Sequence, residues 1–156
     1  MNQPATPDQA PVFSIDKVYV KDISLEIPHA PKIFLERTVP EIDVKLHTDH
    51  STVEEGIYES VLTVTVTAKI AEKTMFLLEV AQAGIFQLRN IPAEQKEPIL
   101  KISCPNILFP YVREVISETV ARAGFPPVIL NPMNFEAWHQ AQAQVQPEPA
   151  APSEVH

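Results

Sequence analysis

The sequence predicts an α+β fold, with a four-stranded antiparallel sheet, a long crossover after the first strand and two helices packed on one face. Two observations support this prediction. All 16 prolines of the 156-residue chain lie outside residues 41–91, and central strands exclude proline because it cannot donate a ladder hydrogen bond. Within that window apolar and polar residues alternate, which is typical of an antiparallel sheet that is covered on one side.

Period-two alternation places the strands along the chain. The predicted strands span residues 12–27, 41–52, 58–70 and 74–88. In the first strand, alternation groups Tyr19 with Ile23 and Leu25 on one face. It groups Asp22 with Glu26 on the other face, which we expect to be solvated.

The last predicted strand carries the pattern of a docking patch. If Phe76 and Leu78 face the core, alternation leaves Met75, Leu77 and Glu79 together on the polar face. Exposed hydrophobic residues beside a carboxylate are typical of a surface that binds another protein. Burial by a second subunit explains the same pattern, so both interpretations stay open.

Two segments outside the strands are apolar enough to bind a partner. Residues 28–40 form the crossover, and loops of this length are usually binding elements or covers; Ile33 and Phe34 give it apolar surface to bury. Residues 104–111 are apolar, are broken twice by proline and lead into a helix, with no catalytic groups beside them. We therefore expect the function to lie in binding and not in catalysis.

Helical periodicity appears only after the sheet. A short helix is predicted at residues 92–97, and Pro98 is expected to interrupt it. A stronger amphipathic helix begins near Pro110 and ends at Gly124. Asn134 is the expected N-cap of a second helix.

The chain is acidic, with 20 Asp and Glu against 12 Lys and Arg and a formal net charge of −8. This charge disfavours nucleic acid and anionic lipid headgroups and favours a cationic protein partner. The start of the chain lacks a secretory signal and no segment has about 20 consecutive apolar residues, so we expect a cytosolic protein without membrane insertion. One domain is predicted over residues 12–145, with disordered tails at residues 1–11 and 146–156.

Catalytic and metal chemistry find little support. Cys104 is the single cysteine, and a buried thiol is commoner than a nucleophile. His47 and His50 are three residues apart on a predicted strand, so they point to opposite faces and do not converge on a metal. A small apolar-ligand carrier or enzyme would need a convergent polar pair inside the apolar lining, and the sequence offers only the scattered Ser103, Cys104 and Tyr111. A purely structural oligomer is the third interpretation.

Several runs of sequence match a known family. They are KDIS at residues 21–24, FLLEV at 76–80, GIF at 84–86, CPNILFPY at 104–111, Arg113-Glu114, and Asn134-Phe135 after Pro132. In this order they closely resemble the SecB family of bacterial protein-export chaperones, over residues 12–139. The resemblance implies a cytosolic homotetramer, a dimer of dimers, that holds unfolded secretory precursors and delivers them to the SecA ATPase of the Sec translocon. It implies no enzyme activity, cofactor or metal in this subunit.

The resemblance also implies roles for particular residues. The surface that receives the zinc-containing C-terminal tail of SecA would comprise Asp22, Glu26, Leu77 and Glu79. The groove for client polypeptides would comprise Ile33, Phe34, Leu108, Phe109 and Tyr111. The alternative for each of them, and above all for Phe109, is that it is an ordinary core residue. The oligomer interface would comprise Leu78, Val80 and Gln82. Thr38 departs from the family pattern, which has a tryptophan in the crossover, so the outer groove is expected to be less aromatic.

Overall fold

The computed structural model of the protein describes residues 9–145. Its strands are β1 (Val12–Glu26), β2 (Glu41–Glu54), β3 (Ile57–Ile70) and β4 (Lys73–Arg89). Its α-helices are α1 (Ala93–Pro98), α2 (Cys104–Arg122) and α3 (Phe135–Gln144), and it has a short 3-10 helix at Lys32–Leu35 and a π-helical segment at Ile99–Ser103. Of the predicted tails, at residues 1–11 and 146–156, residues 1–8 and 146–156 lie outside the described residues.

The four strands form one antiparallel sheet in the order β1-β4-β3-β2. The predicted fold class is therefore confirmed, and the strand ends lie close to their predicted positions. Strands β2, β3 and β4 follow one another as hairpins. The crossover carries the chain from β1, at one edge of the sheet, to β2 at the other edge.

One face of the sheet forms the hydrophobic core, because α2 packs across β3 and β4. The π-helical segment and α2 together contribute one side chain to the core every four residues. This spacing keeps the buried side chains on one face of the helix. The buried stripe consists of Leu100, Cys104, Leu108, Val112, Ile116 and Val120. We call the opposite side of the sheet the polar face.

The prolines do not break the helical region, so the prediction that the strong helix begins near Pro110 was wrong. The backbone is helical without interruption over residues 93–122, and the segment at residues 104–111 is part of α2. A proline removes one hydrogen bond and crowds the carbonyl four residues earlier. The wider π-helical turn ends at Ser103, directly before α2, and Pro105 lies in the first turn of α2. Burial of the apolar stripe outweighs the remaining cost of Pro110.

Bulges in the ladder reverse two of the predicted orientations. A register shift between Val20 and Asp22 places Tyr19 opposite Ala83 on the polar face, and not beside Ile23 as predicted. A second shift, opposite the end of β3, turns Met75 inward, where it is 7% exposed. An extra residue in one strand reverses the orientation of every side chain beyond it. Both predictions failed for this reason.

The three residues predicted at an oligomer interface lie inside the single chain. Leu78 and Val80 are 0% exposed and Gln82 is 2% exposed. The Gln82 side chain donates a hydrogen bond to the backbone oxygen of Tyr19 at 3.1 Å. Their burial is thus explained within one chain, and an interface role for them stays a prediction.

The end of α2 and the start of α3 follow the predicted signals. Gly124 has a φ of 94°, as is usual for the residue that follows a helix. The Asn134 side chain accepts a hydrogen bond from the backbone N–H of Ala137 at 3.0 Å, which caps α3. Phe135 is buried edge-on against Phe109 of α2, with ring centroids 5.7 Å apart. These contacts hold the α2–α3 linker beside the sheet.

Candidate functional site

A cavity of ≈ 500 Å³ opens between the crossover, the start of β2 and the C-terminal end of α2. Its apolar lining includes Ile33, Phe34, Val39, Ile42, Met75, Phe76, Phe125 and Val128. Three of these rings stack in series, because Phe125 lies 5.0 Å from Phe34 and 5.1 Å from Phe76 between ring centroids. Thr38 also lines this cavity.

A second cavity, of ≈ 560 Å³, continues from the first along β2. Its lining consists of Ile42, Val44, Leu46, Phe109 and residues 127–133. Both cavities touch Ile42, Pro127 and Val128, so they form one continuous depression. We call this depression the groove.

The groove gathers three of the five residues predicted to contact clients. Ile33 and Phe34 line the first cavity and Phe109 lines the second. Leu108 is fully buried and is instead a core residue, because it lies on the inward stripe of α2. Tyr111 is 46% exposed and lies outside the lining of both cavities.

The wall formed by β2 and the wall formed by the linker were missed from the sequence. Ile42 and Val44 of β2 were not among the predicted groove residues, yet they are 43% and 37% exposed on the side of the groove. Residues 125–132, an apolar run with three prolines, were the available signal for the second wall. The alternation of apolar residues on an edge strand does not reveal whether a helix packs on them or whether they line an open cavity.

Both walls of the second cavity present unpaired peptide groups. β2 pairs with β3 along one side and is the last strand of the sheet. Residues 126–133 form no backbone hydrogen bond with any residue that the structure describes. The prolines at 126, 127 and 132 have no N–H to donate. The linker therefore cannot form a regular ladder with β2.

The polar face brings together the four residues predicted to bind SecA. Glu26 lies directly opposite Leu77, and Asp22 lies opposite Ala81 on β4. Between them, Glu79 accepts a hydrogen bond from Thr65 Oγ1 at 3.0 Å. Three carboxylates and a half-buried leucine thus share one area of the sheet. We call Asp22, Glu26, Leu77 and Glu79 the acidic patch.

Beside the acidic patch, a charged cluster joins β1 to β3 across β4. The Tyr19 hydroxyl donates to Glu59, and Lys21 Nζ donates to Glu59 Oε1 at 2.7 Å. The hydrogen bonds from Lys21 and Tyr19 hold the pKa of Glu59 below its usual value. Burial, together with the Glu59 carboxylate, raises the pKa of Tyr19 to about 12. The bulge in β1 creates this cluster, so alternation in the sequence did not reveal it.

Cys104, His47 and His50 are the groups that the sequence analysis considered for catalysis or metal binding. Burial raises the pKa of the Cys104 thiol to about 12, so the reactive thiolate is scarce at neutral pH. No group of three or more His, Cys, Asp or Glu side chains in this range could hold a metal ion. His47 and His50 face opposite sides of β2.

A long apolar groove bordered by unpaired backbone, with an acidic patch on the opposite side of the sheet, is typical of the chaperone class of proteins. The family model described as preprotein translocase subunit SecB matches residues 6–146. The chain belongs to the SecB family of protein-export chaperones.

Relatives in two bacteria illustrate this similarity. A protein-export protein SecB from Methylobacillus flagellatus is 61% identical over 144 residues, which cover 92% of each chain. Another, from Chromobacterium violaceum, is 62% identical over 138 residues, which cover 88% of this chain and 92% of that one. The chain thus aligns with nearly the full length of both proteins.

A solved structure shows the same fold at low identity. It is a SecB-like chaperone from Mycobacterium tuberculosis in complex with a ChAD peptide from an antitoxin. The TM-score is 0.65 at 13% identity, and the match covers 78% of this chain and 90% of that one. In the part of the chain that the structure describes, no helix is long and apolar enough to cross a membrane.

Proposed function

We propose that the protein binds unfolded secretory precursors in the cytosol, keeps them competent for translocation and delivers them to the SecA ATPase. The observation that carries this proposal is the continuous groove, whose two cavities of ≈ 500 and ≈ 560 Å³ share Ile42 and Val128. An apolar depression of this length accepts several side chains of an extended chain. Folded proteins bury such side chains, so the groove selects unfolded ones.

The client contacts that we propose are apolar and individually modest. Ile33, Phe34 and Phe109 lie within the groove, and Val39 at its rim is 87% exposed. Tyr111 remains a candidate contact outside both cavities. Contacts of this kind hold many different sequences without tight recognition of any one, which allows release without ATP hydrolysis by this subunit.

The acidic patch is the surface that we propose for SecA. Its carboxylates complement a basic, zinc-containing tail, and the net charge of −8 favours a cationic partner. Leu77 supplies an apolar contact amid these charges. Because the patch and the groove lie on opposite sides of the sheet, a client and the motor can bind at the same time.

The assembly that we propose is a homotetramer, a dimer of dimers. Phe13, Ile15, Val20, Ile23 and Leu25 project from β1 on the core side of the sheet, yet they are 37–47% exposed in the single chain. A second subunit that covers this apolar row would explain its composition. Several grooves in one assembly then retain a long client by multivalent contact.

Calorimetric titration with an unfolded secretory precursor tests the proposal. We expect heat of binding with the unfolded precursor, saturating at about one long chain per assembly because the grooves act together, and none with the same precursor folded. Addition of SecA to the complex should give a ternary species in sedimentation. Absence of heat with both forms would contradict the proposal and favour a small-ligand carrier or a structural oligomer.

A further inference from the structure

We propose that Gln82, which is buried on the core side of β4, is a positioning residue for the acidic patch. Its side chain holds the bulge in β1 that turns Asp22 and Glu26 to the polar face. The inference rests on the proposed docking of SecA on the acidic patch and adds how the fold keeps two of its carboxylates in place. Gln82 is 2% exposed, so it acts through the backbone of β1 and not by contact with SecA.

The bulge decides which face of the sheet carries the two carboxylates of β1. Val20 pairs with Gln82, and the next pair along the ladder joins Asp22 to Ala81, so β1 has one extra residue between these pairs. In an unbroken ladder Asp22 and Glu26 would each lie opposite a residue of β4 that is buried in the core. A shift of one residue moves every side chain beyond it to the other face. The acidic patch therefore depends on the bulge.

The Gln82 side chain is bonded to β1 where the bulge begins. Its Nε2 donates a hydrogen bond to the backbone oxygen of Tyr19 at 3.1 Å. Tyr19 pairs with Ala83, the last polar-face pair before the extra residue. A bulge disrupts the ladder locally, so the neighbouring strand holds the backbone there less firmly. A donor on a buried side chain supplies a further attachment at this point.

Apart from this hydrogen bond, the surroundings of Gln82 are unfavourable for an amide. Leu62, which pairs with Gln82, and Val80, the next inward residue of β4, are both 0% exposed. The amide oxygen Oε1 is buried and has no hydrogen-bond partner within residues 9–145. A buried polar atom without a partner destabilises a fold, so an apolar side chain of similar size would fit these neighbours better. The hydrogen bond to Tyr19 is the interaction that an apolar side chain could not make.

On the polar face, the same bulge is held by Glu59 of β3. The Tyr19 hydroxyl donates to Glu59, and Lys21 Nζ donates to Glu59 Oε1 at 2.7 Å. Lys21 is thereby paired with Glu59, and Asp22 forms no ion pair within the described chain. The bulge is thus held from both faces of the sheet, and the Asp22 carboxylate stays available to a cationic partner.

The first test compares SecA binding by the wild type and by Gln82→Met, an apolar side chain of similar length. We expect the affinity for SecA to fall about tenfold, because the carboxylates of β1 are no longer held where the basic tail docks. Binding of an unfolded precursor should not change, since the groove lies beside β2, at the other edge of the sheet from β1. Gln82→Asn keeps an amide in the core, one methylene short of the Tyr19 oxygen, and should weaken SecA binding in the same way.

Ser60→Ala is the matched control for these variants. Ser60 is 0% exposed on the same side of the sheet, and its hydroxyl, like Gln82 Oε1, is buried without a hydrogen-bond partner in the described part of the chain. Ser60 lies on β3, which does not pair with β1, so its substitution should leave the affinity for SecA unchanged. Thermal unfolding and sedimentation check the fold and the assembly of each variant.

A double-mutant cycle separates positioning from a general loss of stability. Asp22→Asn together with Glu26→Gln removes the charges that Gln82 is proposed to position, and it should itself weaken SecA binding. In that background Gln82→Met should have little further effect, because the side chains through which it acts have lost their charge. A substitution that merely loosens the fold would weaken binding by the same factor in both backgrounds.

The outcomes distinguish the inference from the proposed docking. Unchanged SecA affinity in Gln82→Met, or a loss of the same size in both backgrounds, would overturn the inference and leave docking on the acidic patch intact. Unchanged affinity in the variant with Asp22→Asn and Glu26→Gln would overturn the docking proposal and the inference with it.

Discussion

Gly124 ends α2 with a φ of 94°, and a Cβ built there would lie 3.0 Å from Cε1 of Phe34. This close approach places the Phe34 ring on Phe125, so the end of the helix positions a residue of the groove. The requirement for glycine is therefore twofold: the left-handed backbone disfavours a side chain, and the ring occupies the space.

We expect Gly124→Ala to destabilise the fold by about 1 kcal/mol or more, because alanine is strained at this φ and meets the Phe34 ring. Urea unfolding at a fixed protein concentration measures the decrease in the free energy of unfolding. The same substitution in a Phe34→Ala background serves as control, and its cost should be smaller. Equal costs in the two backgrounds would show that the ring contact contributes nothing.

Within the acidic patch, Leu77→Arg and Glu79→Lys should weaken SecA binding at least tenfold, because each introduces a positive charge where a basic tail is expected to dock. Binding of an unfolded precursor should change little, since these residues lie on the opposite side of the sheet from the groove. Asp49→Lys, which changes the charge as much as Glu79→Lys does on the same face but on β2, is the matched control. Equal loss of both activities would contradict the separation of the two surfaces.

Single residues divide into those that alternation could predict and those that it could not. Asp22 and Glu26 were placed on one face correctly, because the bulges of β1 do not fall between them. Tyr19 and Met75 were placed on the wrong face, since a bulge is a property of two paired strands and leaves no local mark. The exposed fraction of Ile42 depended on the distant linker, which the pattern along β2 does not encode.

At the scale of elements, β1 is attached to β3 by side chains as well as through β4. Glu59 receives hydrogen bonds from Tyr19 and Lys21, and it is 17% exposed whereas Lys21 is 50% exposed. The cluster lies between the acidic patch and the far end of β1. It therefore orients the strand that supplies Asp22 and Glu26.

Glu59→Gln should lower stability near neutral pH by no more than about 1 kcal/mol, because the partner Lys21 is half exposed and the pair is screened. The lowered pKa of Glu59 gives the sign of the pH dependence. The stabilisation of the fold by ionised Glu59 is fully present above the unfolded-state pKa of about 4.3. It is lost as the pH falls through the lower pKa of the folded state. Urea unfolding of both proteins between neutral and acidic pH checks this.

The difference in unfolding free energy between the wild type and Glu59→Gln should shrink toward zero in acid. Glu118→Gln, which removes an exposed ion pair with Arg122 on α2, is the control and should have a small effect throughout. A difference that stays constant with pH would contradict the role of the ionised carboxylate.

The elements themselves were largely predictable, and the exception has a physical cause. Proline-free alternation identified all four strands, and the capping residue Asn134 identified the start of α3. Pro98, Pro105 and Pro110 argued for breaks, but the helical region continues because its stripe from Leu100 to Val120 is buried on the sheet. The local energetic cost of the prolines competes there with the free energy gained when the stripe is buried. A sequence pattern shows only the local cost.

At the scale of the whole molecule, we expect the net charge of −8 to act unequally on the two partners that we propose. We expect SecA binding to weaken with salt more steeply than client binding, because charge attraction is screened over about 10 Å at 0.1 M salt whereas apolar contact is not. Parallel titrations over a series of salt concentrations compare the two slopes. Matching slopes would contradict an electrostatic docking surface separate from an apolar groove.

The two sides of the groove differ in how firmly they are held. β2 belongs to a ladder of paired strands, whereas residues 126–133 form no backbone hydrogen bond within residues 9–145 and pack through Leu130 and the neighbouring Phe135. Segments with few backbone hydrogen bonds yield at lower free energy than paired strands do. The width of the groove can therefore adjust on the linker side while the sheet stays in place. If clients bind there as we propose, bulky and slender segments would fit the same surface, and one chaperone would accept a broad range of substrates.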